Sequence, residues 1–119
     1  MEIKLFDSEL KIMEMIWEKE PVTAKEIAQL AAEEIGWNKN TTYTVIKKLI
    51  EKKAVERGEP GFICTSLIKK ETVRQQETKS LIDKLYGGSK KAFFAAFIEE
   101  NLTEGEAAEL MALIDKTEV

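Results

Sequence analysis

The apolar positions of the first third of the chain recur at helical spacing. Leu10, Met13, Ile16 and Trp17 fall on one face of a helix expected from about Ser8 to Lys19, with Asp7 and Ser8 able to cap its start and Pro21 stopping it. Pro21-Val22-Thr23 reads as a short extended link. Thr23-Ala24-Lys25-Glu26 is a capping box, in which the Thr and Glu side chains satisfy backbone N–H groups that a helix start leaves free. A second helix follows to about Ile35, with Ile27, Leu30, Ala31 and Ile35 inward, and Gly36 is suited to end it in a left-handed conformation. After the polar turn Trp37-Asn38-Lys39-Asn40, with Asn38 or Asn40 as cap, a third helix is expected from about Asn40 to Lys53. Val45, Ile46, Leu49 and Ile50 form its apolar stripe, while Thr41, Thr44, Lys47, Lys48 and Glu51 lie on the other side, with Tyr43 also outward.

The period then changes. Residues 54–57 and 62–65 are rich in β-formers and flank Gly58-Glu59-Pro60-Gly61, a turn signal, so they predict a small hairpin. Beyond it the helical period returns. A fourth helix is expected over about Lys69 to Leu85, with Leu81, Ile82 and Leu85 apolar, ended by Gly87-Gly88. A fifth, capped by Ser89, contains Ala92-Phe93-Phe94-Ala95-Ala96-Phe97-Ile98. A sixth follows the capping box at Thr103 and Glu106, with Ala107, Leu110, Met111 and Ile114 on one face. The fold class is therefore mainly α. A winged helix-turn-helix of three helices and a hairpin is expected over residues 1–68, and a three-helix region over 69–119.

Composition narrows the chemistry. The 119 residues are 44% apolar and 34% charged, as expected for a folded helical chain rather than a disordered one. No apolar run approaches the roughly 20 residues that span a bilayer, so no membrane insertion is expected. The opening Met1–Phe6 lacks the pattern of a signal peptide, which predicts a cytoplasmic location. There is no histidine and one cysteine, Cys64. That excludes an internal disulfide, disfavours a zinc site and removes the commonest general base. No metal site, cofactor or catalytic residue is expected, and no enzymatic activity.

The net charge of −4 argues against nucleic acid until its distribution is read. Residues 38–57 carry six basic side chains against two acidic ones, whereas residues 99–119 carry seven acidic against one basic. The positive stretch is the third helix and the hairpin after it. In a winged helix-turn-helix, such a helix enters the DNA major groove and the hairpin approaches the phosphates beside it. The candidate DNA-binding residues are Lys39, Asn40, Thr41, Tyr43, Thr44, Lys47 and Lys48 of that helix and Arg57 of the wing, with double-stranded operator DNA as partner. A winged-helix module that docks protein and not DNA is the alternative.

Specific motifs add to this. Leu10-x-x-Met13-x-x-Ile16-Trp17, then Thr23-Ala24-Lys25-Glu26-Ile27, then Trp37-Asn38-Lys39-Asn40-Thr41-Thr42-Tyr43-Thr44-Val45-Ile46-Lys47-Lys48-Leu49 resembles the penicillinase and methicillin-resistance repressor family (BlaI/MecI type), to which the copper-responsive CopY repressors are related. The likeness continues through Leu85-Tyr86-Gly87-Gly88 and Leu102-Thr103-x-x-Glu106. It implies a bacterial repressor that binds an inverted repeat as a homodimer, through an N-terminal winged helix and a C-terminal three-helix dimerisation region. The apolar cluster of the last three helices fits a twin: Leu81, Leu85, Phe93, Phe94, Phe97, Ile98, Leu110 and Ile114 are the candidate dimerisation residues. The resemblance also implies a membrane sensor-protease as partner, cutting an Asn–Phe bond in the fifth helix. The matching pair here is Ala96-Phe97, so the Asn of that cut is missing. The Cys-x-Cys motifs of the copper-responsive relatives are absent as well.

Overall fold

The computed structural model describes residues 3–117. They form two compact units, the first ending at Arg74 and the second beginning at Gln75.

The first unit runs α1 (Asp7–Lys19), β1 (Val22–Thr23), α2 (Ala24–Ile35), α3 (Lys39–Glu51), β2 (Val55–Gly58) and β3 (Ile63–Ser66). It also takes in the first turn of α4 (Lys70–Tyr86). The helix count and hairpin expected from the sequence are present, with three differences. α1 starts at Asp7 and neither Asp7 nor Ser8 caps it; Phe6 sits at the cap position, and Glu9 Oε1 accepts its N–H at 2.7 Å. The short extended link expected at Val22-Thr23 is a strand, but it does not stand apart from the wing. It pairs antiparallel with β3, Val22 opposite Cys64, which makes a three-stranded sheet in the order β1-β3-β2. The wing strands lie one residue later than expected, because Ala54 is drawn into the core and its N–H closes the end of α3 on Leu49 O.

The core of this unit is Ile12, Met13 and Ile16 of α1, Ile27 and Ala31 of α2, Val45, Ile46 and Leu49 of α3, and Val55 and Cys64 of the sheet. The buried stripe of α1 is turned by about one position from the expected one: Ile12 and Met15 are buried, while Leu10 and Trp17 are half-buried at its margin. Trp17 has a polar role too, since its Nε1–H donates to Ile68 O at 3.0 Å and ties α1 to the segment leaving the wing. Glu20 does the same for β3, accepting from the N–H and hydroxyl of Ser66, each at 2.9 Å. Lys70 pairs with Glu14 at 2.9 Å, and Val73 is buried against the core. The first turn of α4 therefore belongs with the winged helix, and the division lies inside that helix, not at residue 68.

The second unit holds the rest of α4, α5 (Lys90–Asn101) and α6 (Glu104–Lys116). Gly87 and Gly88 end α4 at φ 58° and 83°, a left-handed pair that a side chain resists. Ser89 then caps α5 by accepting the Ala92 N–H, and Thr103 and Glu106 form the expected capping box of α6. Phe93 is the centre of an aromatic cluster, with ring centroids 5.4 Å from Tyr86, 5.1 Å from Phe94 and 6.1 Å from Phe97. Yet neither α5 nor α6 contains a single buried residue.

Candidate nucleic-acid interface

α3 is fixed in direction by its two ends. Gly36, at φ 71°, closes α2 in the left-handed conformation and turns the chain. Asn38 then caps α3, its Oδ1 accepting the Thr41 N–H at 2.8 Å, and half-buried Trp37 packs against the core beside it. The cap is thus Asn38, which leaves the Asn40 side chain free of the capping role at the second residue of the helix. Thr42, Val45, Ile46 and Leu49 are buried and hold the helix down.

The opposite face is open. Lys39, Asn40, Thr41, Thr44, Lys47 and Lys48 are all exposed, and the spacing of three, four and seven among Asn40, Thr41, Thr44, Lys47 and Lys48 sets these five along one side of the helix, with Lys39 at its margin on the Tyr43 side. Asn40, Thr41, Thr44 and Lys48 line a shallow depression together with Trp37 and Asn38. The Thr44 hydroxyl donates to Asn40 O at 2.9 Å, one turn back. Its proton is used within the helix, so toward solvent the oxygen offers lone pairs and works as an acceptor. Tyr43 departs from the expected outward position: it is half-buried, with its ring edge-on to Phe62 of the wing at 5.9 Å and Lys39 Nζ 5.7 Å from its face.

The positive charge of this segment is smaller than the sequence count. Lys52 turns inward, its Nζ 2.6 Å from Glu9 Oε1 and 2.9 Å from Lys4 O, and it lies over the Phe6 ring at 4.4 Å. Arg57 pairs with Glu59, two residues on at the start of the turn, and stacks on Phe62. That hydrogen bond holds the Glu59 carboxyl below the ordinary carboxylate range. Lys39, Lys47, Lys48 and Lys53 are the exposed cations of the helix and its exit. Sequence reading missed Glu9. Its signal was present, since Glu9 precedes Ile12, Met13 and Ile16 by three, four and seven residues and so shares their buried face.

Among the candidate dimerisation residues, Leu81, Leu85, Phe94, Phe97 and Ile114 are exposed within the chain, and Phe93, Ile98 and Leu110 are half-buried. Met111 and Leu113 join the exposed set. Ala96 and Phe97 lie inside helical α5. Among the described residues no group of acidic or cysteine side chains is placed to hold a metal ion, and no helix is long and apolar enough to cross a membrane.

Comparison with known proteins shows likeness in fold and in sequence. The winged-helix part is similar to the solution structure of the DNA binding domain of the repressor BlaI, with a TM-score of 0.54 and 26% identity over 57% of this chain and 85% of that one. The methicillin resistance regulatory protein MecI of Staphylococcus aureus (strain N315) is 26% identical over 116 residues, 95% of this chain and 94% of its own. The penicillinase repressor of Bacillus licheniformis is 24% identical over 105 residues, covering 87% and 82% of the two chains. That of Staphylococcus aureus is 27% identical over 117 residues, covering 96% and 93%. These relatives are regulators and not enzymes by name. The family model described as penicillinase repressor matches residues 5–116, nearly the whole chain, and the protein is a member of the penicillinase repressor family.

Proposed function

We propose that this protein is a transcriptional repressor that binds an inverted-repeat operator in double-stranded DNA as a homodimer. The observation that carries the proposal is the exposed face of α3, where Asn40, Thr41, Thr44, Lys47 and Lys48 stand together on a helix anchored by its other side. A major groove admits one such helix. Thr44, as an outward acceptor, suits an amino group of cytosine or adenine, and its methyl suits thymine; Asn40 suits adenine. Lys47 and Lys48 reach phosphates, and so does Lys39 near the helix start. Arg57 approaches the backbone from the wing. Repression of this kind places the protein with the genome in the cytoplasm.

The second copy follows from the second unit. α5 and α6 leave Phe94, Phe97, Met111, Leu113 and Ile114 exposed, and a twin with the same surface covers both faces at once. Two linked winged helices then read two half-sites, the second at an effective concentration in the millimolar range. The site matching the cut by a membrane sensor-protease is Ala96-Phe97, which lies within helical α5 and lacks the Asn of that cut.

A gel-shift titration against the DNA upstream of the protein's own gene tests the proposal. Retardation that is lost when Lys39, Thr41, Thr44 and Lys47 are all changed to Ala is expected. No retardation of any duplex at low salt would instead favour a protein-docking module.

A further inference from the structure

Arg57 is the basic residue of the wing, yet its charge is answered inside the hairpin. Its Nε–H donates to Glu59 Oε1, and its guanidinium carbon lies 3.6 Å from the centroid of the Phe62 ring. The other carboxylate oxygen, Glu59 Oε2, accepts the Phe62 N–H at 3.3 Å. One carboxylate thus holds both the arginine and the backbone of the ring on which the arginine stacks.

The strand register explains where this happens. Arg57 stands opposite Cys64 and Val55 opposite Ser66. Side chains alternate along a strand, so Arg57 shares the face that carries Val55 and Cys64 into the core, while Glu56 lies on the other face. The guanidinium therefore emerges at the edge of the core face, over Phe62. The Phe62 ring in turn meets Tyr43 of α3 edge-on, and Lys39 lies over Tyr43. The wing cation is set beside the start of the candidate recognition helix and not on the outer surface of the hairpin.

We propose that Glu59 mimics a phosphate: in the free protein it occupies the Arg57 guanidinium, and a DNA phosphate must displace it when the wing engages the backbone. The inference rests on the DNA-binding function proposed above and assigns Glu59 a part in it. Both partners are about half exposed, at 45% and 56%, so the pair is weak and its exchange for a phosphate is easy. Its consequence is competitive. Arg57 is withheld from incidental phosphates, and an acidic group stays at the wing tip to repel any duplex that does not seat α3 first. Glu59 then lowers the affinity for non-specific DNA more than for the operator, where the seated helix fixes a phosphate opposite Arg57.

Binding of the full chain to a duplex of unrelated sequence, titrated at several salt concentrations, tests this. Freeing Arg57 adds a phosphate contact, so Glu59→Gln should steepen the slope of log K against log salt by about 0.9 per chain. Glu56→Gln removes the same charge from the opposite face and should leave the slope near the parent value. In an Arg57→Met background, Glu59→Gln should lose its effect. Both glutamates are exposed, so the variants are expected to unfold at the parent midpoint, and that is measured alongside. Equal slopes for Glu59→Gln and Glu56→Gln would overturn the proposal, as would persistence of the effect without Arg57. Weaker binding by Glu59→Gln would also overturn it, because Glu59 would then be orienting Arg57 for DNA. A parent protein that binds no duplex at low salt removes the DNA-binding function itself, an outcome distinct from a parent that binds while Glu59→Gln matches it.

Discussion

Lys52 Nζ lies 2.6 Å from Glu9 Oε1, joining the end of α3 to the start of α1 through a carboxylate whose side chain is only 2% exposed. The two partners are not equivalent. Lys52 is 28% exposed and can reach water, whereas Glu9 Oε2 is buried without a hydrogen-bond partner. Removing the lysine strands a buried charge; removing the charge of the glutamate releases a lysine to solvent.

Lys52→Met should therefore destabilise the fold by about 3 kcal/mol, toward the lower end of what breaking a buried pair costs. Glu9→Gln should cost about 1 kcal/mol, the scale of one lost hydrogen bond. Urea unfolding with unchanged m-values measures both. The reverse order, or equal small effects, would mean that Glu9 is hydrated and not truly enclosed.

Cys64 gives a pH prediction. It is fully buried in β3, and burial pushes its thiol from the ordinary 9.0 up to about 11, against the opposing pull of the Arg57 charge nearby. The folded state holds its proton more tightly than the unfolded chain does. Stability from this group is thus complete below about pH 9 and is lost as pH rises through about 11. Between those values it falls by up to about 1.4 kcal/mol per pH unit. Cys64→Ala should show a flatter decline over that window. The native thiol should also react slowly with a disulfide reagent at pH 8 and quickly once unfolded.

The dimer prediction centres on Phe97, which is 43% exposed within the chain. Covering the remaining half of a large apolar side chain is worth roughly 1 kcal/mol per copy, and a symmetric contact counts it twice. Phe97→Ala should weaken self-association by on the order of 30-fold. A chain ending at Arg74 keeps its own core, including Val73, and should stay folded as a monomer with much weaker operator binding. Sedimentation of the three proteins checks this, and a full-length monomer at micromolar concentration would contradict it.

Much of this architecture is legible in the sequence, because local chemistry and tertiary packing agree. Thr23 with Glu26, Asn38, Ser89, and Thr103 with Glu106 cap the helices as their residue types demand. The stripe Val45, Ile46 and Leu49 faces the core and leaves Thr44, Lys47 and Lys48 outside. What was hidden depends on partners distant in sequence. The extended Val22-Thr23 link joins a sheet only because β3, some forty residues later, lies beside it. Lys52 leaves the exposed charge because Glu9 is 43 residues away on α1. Arg57 and Tyr43 are drawn together by Phe62, which no periodicity announces.

The central claim is that α3 carries the DNA contact, and the salt dependence of duplex binding tests it most directly. Binding of the parent protein to its operator should weaken linearly in log salt. Lys47→Ala and Lys48→Ala should each flatten the slope by about 0.9 per chain, while Thr44→Ala should cost roughly 1–3 kcal/mol on the operator and leave the slope unchanged. Slopes and operator affinity that match the parent in all three variants would contradict the assignment of α3 as the DNA-reading helix.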